Sequence, residues 1–372
     1  EKSGIFFPSQ PDITGFPFNI WARLIARSWR SSATHSPKSL LMNSDINGFY
    51  PLRKAISNYL NGARALKCNA DQVMIVSGAQ QAISLIAHLL LEEADIAVVE
   101  DPGFPGIRGA LMGAGAQIIP VETDENGIHI DQLPSNAKII CTAPSNHYPL
   151  GGTTSATRRL ELLNWGRVHH AWILEDDYDS EYRYFGRPLS ALQGMDMDHQ
   201  VIYFGSFSKV IFPSLRLGYL VLPQHLIQSF SRIRKILDST TSIVAQPALS
   251  DFIDEGYFAT HLRRTRNLYR QRLTHMQKEI EQYLDPQYAR FSNPAAGMHA
   301  CLRFDQCQCD LKISDQKIAA LLNLQNIMAM PLSVFYVGDV KAKGLALGFA
   351  GTEKQQISYG IKKIAQIIET YQ

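Results

Sequence analysis

The sequence predicts an α/β domain with a mainly parallel sheet, continued by a smaller C-terminal lobe. Over roughly the first two-thirds of the 372 residues, short apolar runs alternate with segments of helix length, the pattern of strands joined by crossover helices. Beyond that, HLRRTRNLYRQRLTHMQKEIEQYL reads as one long charged amphipathic helix linking into a second lobe. Hydrophobic residues make up 45% of the chain and charged residues 19%, which suits a globular protein with a large core. In order, QVMIVSG reads as a strand and AQQAISLIAHLLLEE as the helix after it. IAVVEDPGFPG is a strand stopped by a Pro/Gly turn, GALMGAGA closes a helix, and QIIPVET is the next strand, with a turn at Asn126–Gly127. KIICTAP, AWILEDDYD and QVIYFGS are further short apolar runs, with RRLELLNWGR as a helix before one of them.

Bulk properties exclude several classes. A formal net charge of +2 gives no electrostatic case for nucleic-acid binding by these residues. Five cysteines in so long a chain make no disulfide framework and point to a reducing, cytoplasmic setting. Cys307 and Cys309 in QCQCD suggest a metal site, but no second Cys/His cluster completes four ligands; they read as loop residues, and no metal is expected. AISLIAHLLLEE, the longest apolar stretch, is too short to span a bilayer, so no membrane partner is expected. No signal peptide is visible, and a start at Glu1 rather than methionine suggests a piece of something longer. The GAG at 113–115 resembles a nucleotide-binding loop, yet it follows a helix rather than a strand and reads as the end of that helix.

One lysine, Lys209, stands in the apolar and hydroxyl-bearing run YFGSFSKVIFPSLRLGYLVLP, with one arginine, Arg216, seven residues on. Burying its ammonium is costly unless it is paired, neutralised or chemically used. Desolvation favours the neutral amine, a Schiff-base nucleophile. In AWILEDDYD, strand alternation places Asp176 and Tyr178 on one face near the carboxyl end, where α/β sheets hold ligands. Alone, Glu175, Asp176, Asp177 and Asp179 read as a solvated acidic turn, and that reading is kept for Asp177 and Asp179. Combined with Lys209, the pattern matches what pyridoxal phosphate needs: an imine-forming lysine, a carboxylate for the ring nitrogen, a donor for the ring oxygen, an aromatic face and an anion site. Asp176 supplies the carboxylate and Tyr178 the donor. Ser206, Ser208 and the Arg216 guanidinium suit the phosphate. VSGAQQ adds Gly78 and Ala79 at a strand-to-helix turn with free N–H groups, and Gln80 as a side-chain donor; alone it is only a turn. Phe104 in DPGFPG follows the next strand and can lie on the ring; alone it reads as core.

SGAQQA, VEDPGFPG, ILEDDYDSEYRYFGRPLSALQG and GSFSKVIFPSLRLGYLV together resemble the aminotransferase-like domain of MocR-type regulators in the GntR superfamily. The likeness runs over nearly the whole chain. It implies a fold-type I pyridoxal-phosphate aminotransferase fold: a large domain with a mainly parallel seven-stranded sheet and a smaller α+β C-terminal domain. We divide the chain into an N-terminal segment, 1–45, packing on the active site and small lobe, a large domain, 46–235, and a small domain, 236–372. The resemblance implies Lys209 as the imine lysine, Asp176 at the pyridine nitrogen, Tyr178 at the ring oxygen and Phe104 stacked on the ring. It places Gly78, Ala79, Gln80, Ser206, Ser208 and Arg216 around the phosphate. It further implies a homodimer in which Tyr50 reaches the neighbouring subunit's phosphate. The expected function is effector sensing, with an amine or amino-acid effector forming an external aldimine and DNA contacted only through an N-terminal winged-helix domain that this sequence lacks. A free-standing aminotransferase acting on a 2-oxo acid is the alternative. Two departures bear on the substrate. Tyr148 stands in SNHYPLGG where the family's NPTG motif has asparagine, leaving Asn146 or His147 to take over its contact. KAKGLALGFAG holds no carboxylate-gripping arginine, only Lys341 and Lys343. By analogy, Trp21 and Arg23 help line the pocket.

Overall fold

The computed structural model describes residues 4–30, 40–42, 45–186, 189–309 and 311–371. The remainder of the 1–45 segment, and Arg187 and Pro188 of the EDDYDSEYRY…RPL stretch, lie outside the described residues. Helices α1 (Phe18–Ser28) and α2 (Tyr50–Arg64) precede a strand–helix alternation. It runs β1 (Val73–Val76), α3 (Ala79–Leu90), β2 (Ile96–Asp101), α4 (Pro105–Gly113), β3 (Gln117–Asp124), β4 (Gly127–Ile128) and β5 (Ala137–Thr142). It continues through α5 (Ala156–His169), β6 (Trp172–Asp177), β7 (Val201–Ser206) and β8 (Gly218–Val221). Three helices follow, α6 (Ile227–Leu237), α7 (Gln246–Asp254) and the long α8 (Tyr257–Tyr283). The chain ends with β9 (Arg290–Ser292), β10 (His299–Arg303), α9 (Asp315–Asn323), β11 (Met330–Pro331), β12 (Gly344–Gly348) and α10 (Lys354–Thr370).

The large sheet has the order β1-β8-β7-β6-β5-β2-β3-β4. The pairs β2–β3, β2–β5, β5–β6 and β6–β7 are parallel, and β8 runs antiparallel to both β1 and β7. The eighth strand, beyond the expected seven, is β4. Gly127 at φ +111 lets the Asn126–Gly127 turn close, and Thr123 then faces Ile128. Two residues are too few for an apolar pattern to announce. Because β2 lies between β3 and β5, successive connections diverge there and leave a crevice at the strands' carboxyl ends.

Both faces of this sheet are covered, as unbroken apolar strands require. Val98, Ile140, Ile173 and Val201 pack with Leu162 and Leu163 of α5. On the opposite face, Val99, Ile139, Leu174 and Ile202 pack with Ile83 and Ile86 of α3 and Leu111 of α4. Each such side chain contributes about 1.5–3 kcal/mol when fully buried. The smaller sheet, β11-β12-β10-β9, is antiparallel, and its Leu302, Leu345 and Leu347 join a cluster with Met276 of α8 and Ile361 of α10. The N-terminal segment is tied to this lobe: the Phe6 carbonyl accepts from Gly348 N–H at 2.9 Å, and Asp12 pairs with Arg272 at 2.5 Å. No helix among the described residues is long and apolar enough to cross a membrane.

Candidate functional site

Almost every singled-out residue lies at the carboxyl ends of the central strands. Two residues beyond β1, Gly78 caps α3 at φ +124, and a Cβ there would meet nothing within 4 Å. No side chain caps this helix, so the first-turn N–H groups of Ala79 and Gln80 are left for an anion. The start of β8 closes on the same spot. A Cβ on Gly218 would lie 2.8 Å from the Gly205 carbonyl oxygen and 3.1 Å from Gly78 Cα, so only glycine permits the approach. Ser206 is paired with Gly218 across β7 and β8, and its Oγ accepts from Ser208 N–H at 3.2 Å. Arg216, two residues before Gly218, is exposed in the left-handed conformation at φ 51. Phe104 follows β2, is 43% exposed rather than core, and adjoins Gln80 across Gly106. The structure thus brings together Gly78, Ala79, Gln80, Ser206 and Ser208 near Arg216, with Phe104 beside Gln80.

The acidic run departs from its solvated reading. Glu175 and Asp179 are fully buried, and Asp177 is 5% exposed. Glu175 accepts from Leu192 and Gln193 N–H groups at 2.7 and 2.8 Å. Asp177 accepts from Arg64 Nε of α2 at 2.8 Å and from the Tyr203 hydroxyl. Asp179 Oδ1 accepts from Asn146 Nδ2 at 2.8 Å. The turn is a buried polar network because partners from α2 and from the loop after β5 come in over it. Asp176, on the other side of β6 from Asp177, makes no hydrogen bond with the described residues. Burial and the neighbouring carboxylates Asp177 and Asp179 push it well above the usual range, and Lys209 opposes them. Burial likewise raises the Tyr178 phenol, whose oxygen accepts from Asn146 Nδ2 at 3.0 Å.

Lys209 sits in the turn after β7 with no hydrogen bond or ion pair to the described residues. Burial lowers its pKa, against the pull of Asp179 and Asp176. Of the two candidates for the missing asparagine's contact, Asn146 donates to the Tyr178 hydroxyl, while His147 Nε2 turns to the Pro102 carbonyl at 2.8 Å. Tyr148 packs edge-on against Phe104, Tyr178 and Phe335, with centroids 5.8, 6.0 and 5.1 Å away. Neither lysine replaces the arginine: Lys341 pairs with Glu122, and Lys343 is exposed. In the same stretch, Ala346 of β12 joins Cys301, Leu332, Phe335 and Met330 in an apolar cluster against Tyr148. Arg23 bonds the Tyr257 hydroxyl at 2.9 Å, and Trp21 packs on Phe16, Phe212 and Phe252. Tyr50 opens α2, 51% exposed, with the Arg53 guanidinium over its ring. Sequence reasoning missed His299: burial lowers it to about 4, and Nε2 lies 2.7 Å from the Pro149 carbonyl oxygen. A lone histidine in an apolar strand carries no local signal of such a role.

These residues fit pyridoxal phosphate on two counts. Asp176 is a buried carboxylate with no hydrogen bond, as a protonated ring nitrogen requires, and the uncapped α3 terminus beside Gly78 is a phosphate cradle.

Comparison with known proteins agrees. The aminotransferase class I and II family profile matches residues 17–364. The chain is 37% identical over 360 residues to the probable rhizopine catabolism regulatory protein MocR of Rhizobium meliloti, covering 96% of this chain and 71% of that one. It is 28% identical over 361 residues to the HTH-type pyridoxine biosynthesis transcriptional regulator PdxR of Corynebacterium glutamicum, covering 97% and 75%. Among solved structures, Pyrococcus horikoshii kynurenine aminotransferase in complex with PMP superposes with a TM-score of 0.88 at 25% identity, covering 99% and 91%.

Proposed function

Since the chain belongs to the aminotransferase class I and II family, as an aminotransferase-like domain of the MocR type, we propose that it binds pyridoxal phosphate and senses an amine effector for a transcriptional regulator. Bound there, pyridoxal phosphate supplies a carbonyl that condenses reversibly with amines and a ring that withdraws electrons. Lys209 provides the resident amine, and burial lowers its pKa toward the nucleophilic free form. Asp176 holds the proton on the ring nitrogen, and Tyr178, fixed by Asn146, donates to the ring oxygen. The first turn of α3, Ser206, Ser208 and Arg216 hold the phosphate, and Phe104 lies against the ring. Were an effector amine to take the place of Lys209, the refilled pocket would change how the small lobe closes. DNA contact belongs to a separate module, as the relatives' HTH-type names indicate. In this reading the protein is a cytoplasmic homodimer, with Tyr50 completing the neighbour's phosphate site.

The observation that carries sensing over turnover is the apolar wall. The KAKGLALGFAG stretch holds no arginine to grip a substrate carboxylate, and its Ala346 lies in an apolar cluster. The placement of Lys209 still favours chemistry, because a freed lysine can act as a base. The test is to incubate the cofactor-loaded chain with an amine and amino-acid panel plus a 2-oxo acid, and to assay carbonyl products. The sensing reading predicts no more than one equivalent per site. Many turnovers would replace it with the aminotransferase reading.

A further inference from the structure

Three buried acceptor atoms in the region of Tyr178 and Tyr148 lack partners, as does Ser180 Oγ beside Asp179. Asn146 Oδ1, Asp179 Oδ2 and His299 Nδ1 have no hydrogen-bond partner among the described residues, and their side chains are 3% exposed or less. Asn146 spends its donor on Tyr178 and on Asp179 Oδ1, leaving its oxygen bare. His299 Nε2 faces a carbonyl, so it carries the ring hydrogen and Nδ1 is a lone-pair acceptor. An unmade hydrogen bond at a buried polar group is costly, so an unpartnered set of this kind indicates a ligand.

Their contacts run to the Tyr178 phenol and to Tyr148. Asn146 and Asp179 adjoin the Tyr178 phenol, and a side chain on Gly297, at φ +95, would run into both. His299 stacks against Tyr148, which abuts Tyr178. Both Asp179 and His299 feel the charge of Lys209, whose amine marks where an effector nitrogen must arrive. Arg183 also keeps Nε and Nη1 unpartnered, but its charge acts on Arg64 rather than on Lys209. The remaining wall is the apolar cluster of Ala346, Phe335 and Met330.

Resting on the sensing reading above, we propose that the effector is a diamine: one amine takes the place of Lys209, and a second, protonated amine is held by Asp179 with Asn146 and His299. An ammonium carries three donors and no acceptor, the complement of this set. A hydroxyl would offer a single hydrogen to the three acceptors. A carboxylate would meet only acceptors and hydrocarbon. Burial pushes the Asp179 carboxyl up to about 8, and a neighbouring cation would bring it back toward ionisation.

The test compares three probes with one carbon skeleton, 1,4-diaminobutane, butylamine and 4-aminobutanoate, titrated into the cofactor-loaded chain and followed by cofactor absorbance. The diamine should reach half-saturation at about tenfold or more lower concentration than butylamine, as expected for a hydrogen bond to a charged group. The amino acid should do no better than butylamine. Asp179→Asn should shrink the diamine's advantage to within about threefold. If that variant does not fold, His299→Phe should lower the same ratio. Equal midpoints for diamine and butylamine, or a preference for 4-aminobutanoate, would overturn the proposal while leaving the sensing reading intact. A loaded chain whose spectrum no amine changes would overturn both.

Discussion

An ammonium at Lys209 is opposed by burial and favoured by Asp179 and Asp176, and the net shift is downward from the ordinary lysine value. Lys209→Ala removes the nucleophile but leaves the phosphate cradle. Its cofactor should still bind weakly, lose the absorbance of the lysine-linked form and wash out on dialysis. Retention of the parent spectrum would show another residue to be the imine partner. Asp179 gives a pH prediction. Its carboxyl ordinarily titrates near 3.8, and burial raises it to about 8 in the cofactor-free fold. Between those values the unfolded chain releases a proton that the folded chain keeps, so stability falls as pH rises, by at most about 1.4 kcal/mol per unit. Asp179→Asn has no such proton. Its urea stability should therefore gain on the parent from pH 4 to 8 and level off above; a constant difference would contradict the burial argument. Lys209 was legible because a lysine in an apolar run is itself a signal. Asp179 was not, since its partner Asn146 lies 33 residues away, on another strand's loop.

At the scale of elements, two junctions hold the site in shape. The end of β6 is locked to α2 by the buried Arg64–Asp177 pair, with Tyr203 completing it. Arg64→Met leaves Asp177 buried without its counter-charge and should cost about 3–5 kcal/mol, read as a lowered urea midpoint. The other junction is the approach of β8 to Gly78. Gly218→Ala forces a methyl against the Gly205 carbonyl and the Gly78 backbone. It should weaken cofactor retention through the phosphate cradle as well as lowering stability. A variant that folds less well yet binds the cofactor with parental affinity would separate the two and contradict this link. The strand–helix alternation was readable because apolar period and turn residues are local. β4 was not, being two residues formed by a turn. The acidic run was misread because its cover comes from α2, 113 residues away.

The whole molecule couples these scales through the cofactor. A ligand that binds only the folded chain stabilises it by about 2.7 kcal/mol at a hundredfold excess over Kd. The melting temperature should therefore climb with pyridoxal phosphate concentration. Arg216→Ala should shift that climb to about 10–100-fold higher concentration, the worth of charge-assisted bonds to phosphate. The most direct test of the central claim is a single absorbance titration of the cofactor-loaded chain with amines. We expect at least one amine to move the band of the Lys209-linked cofactor to a new species that persists for as long as the amine is present. Collapse of that band to the amine form of the cofactor, restored by a 2-oxo acid, would contradict the account and make the chain an aminotransferase.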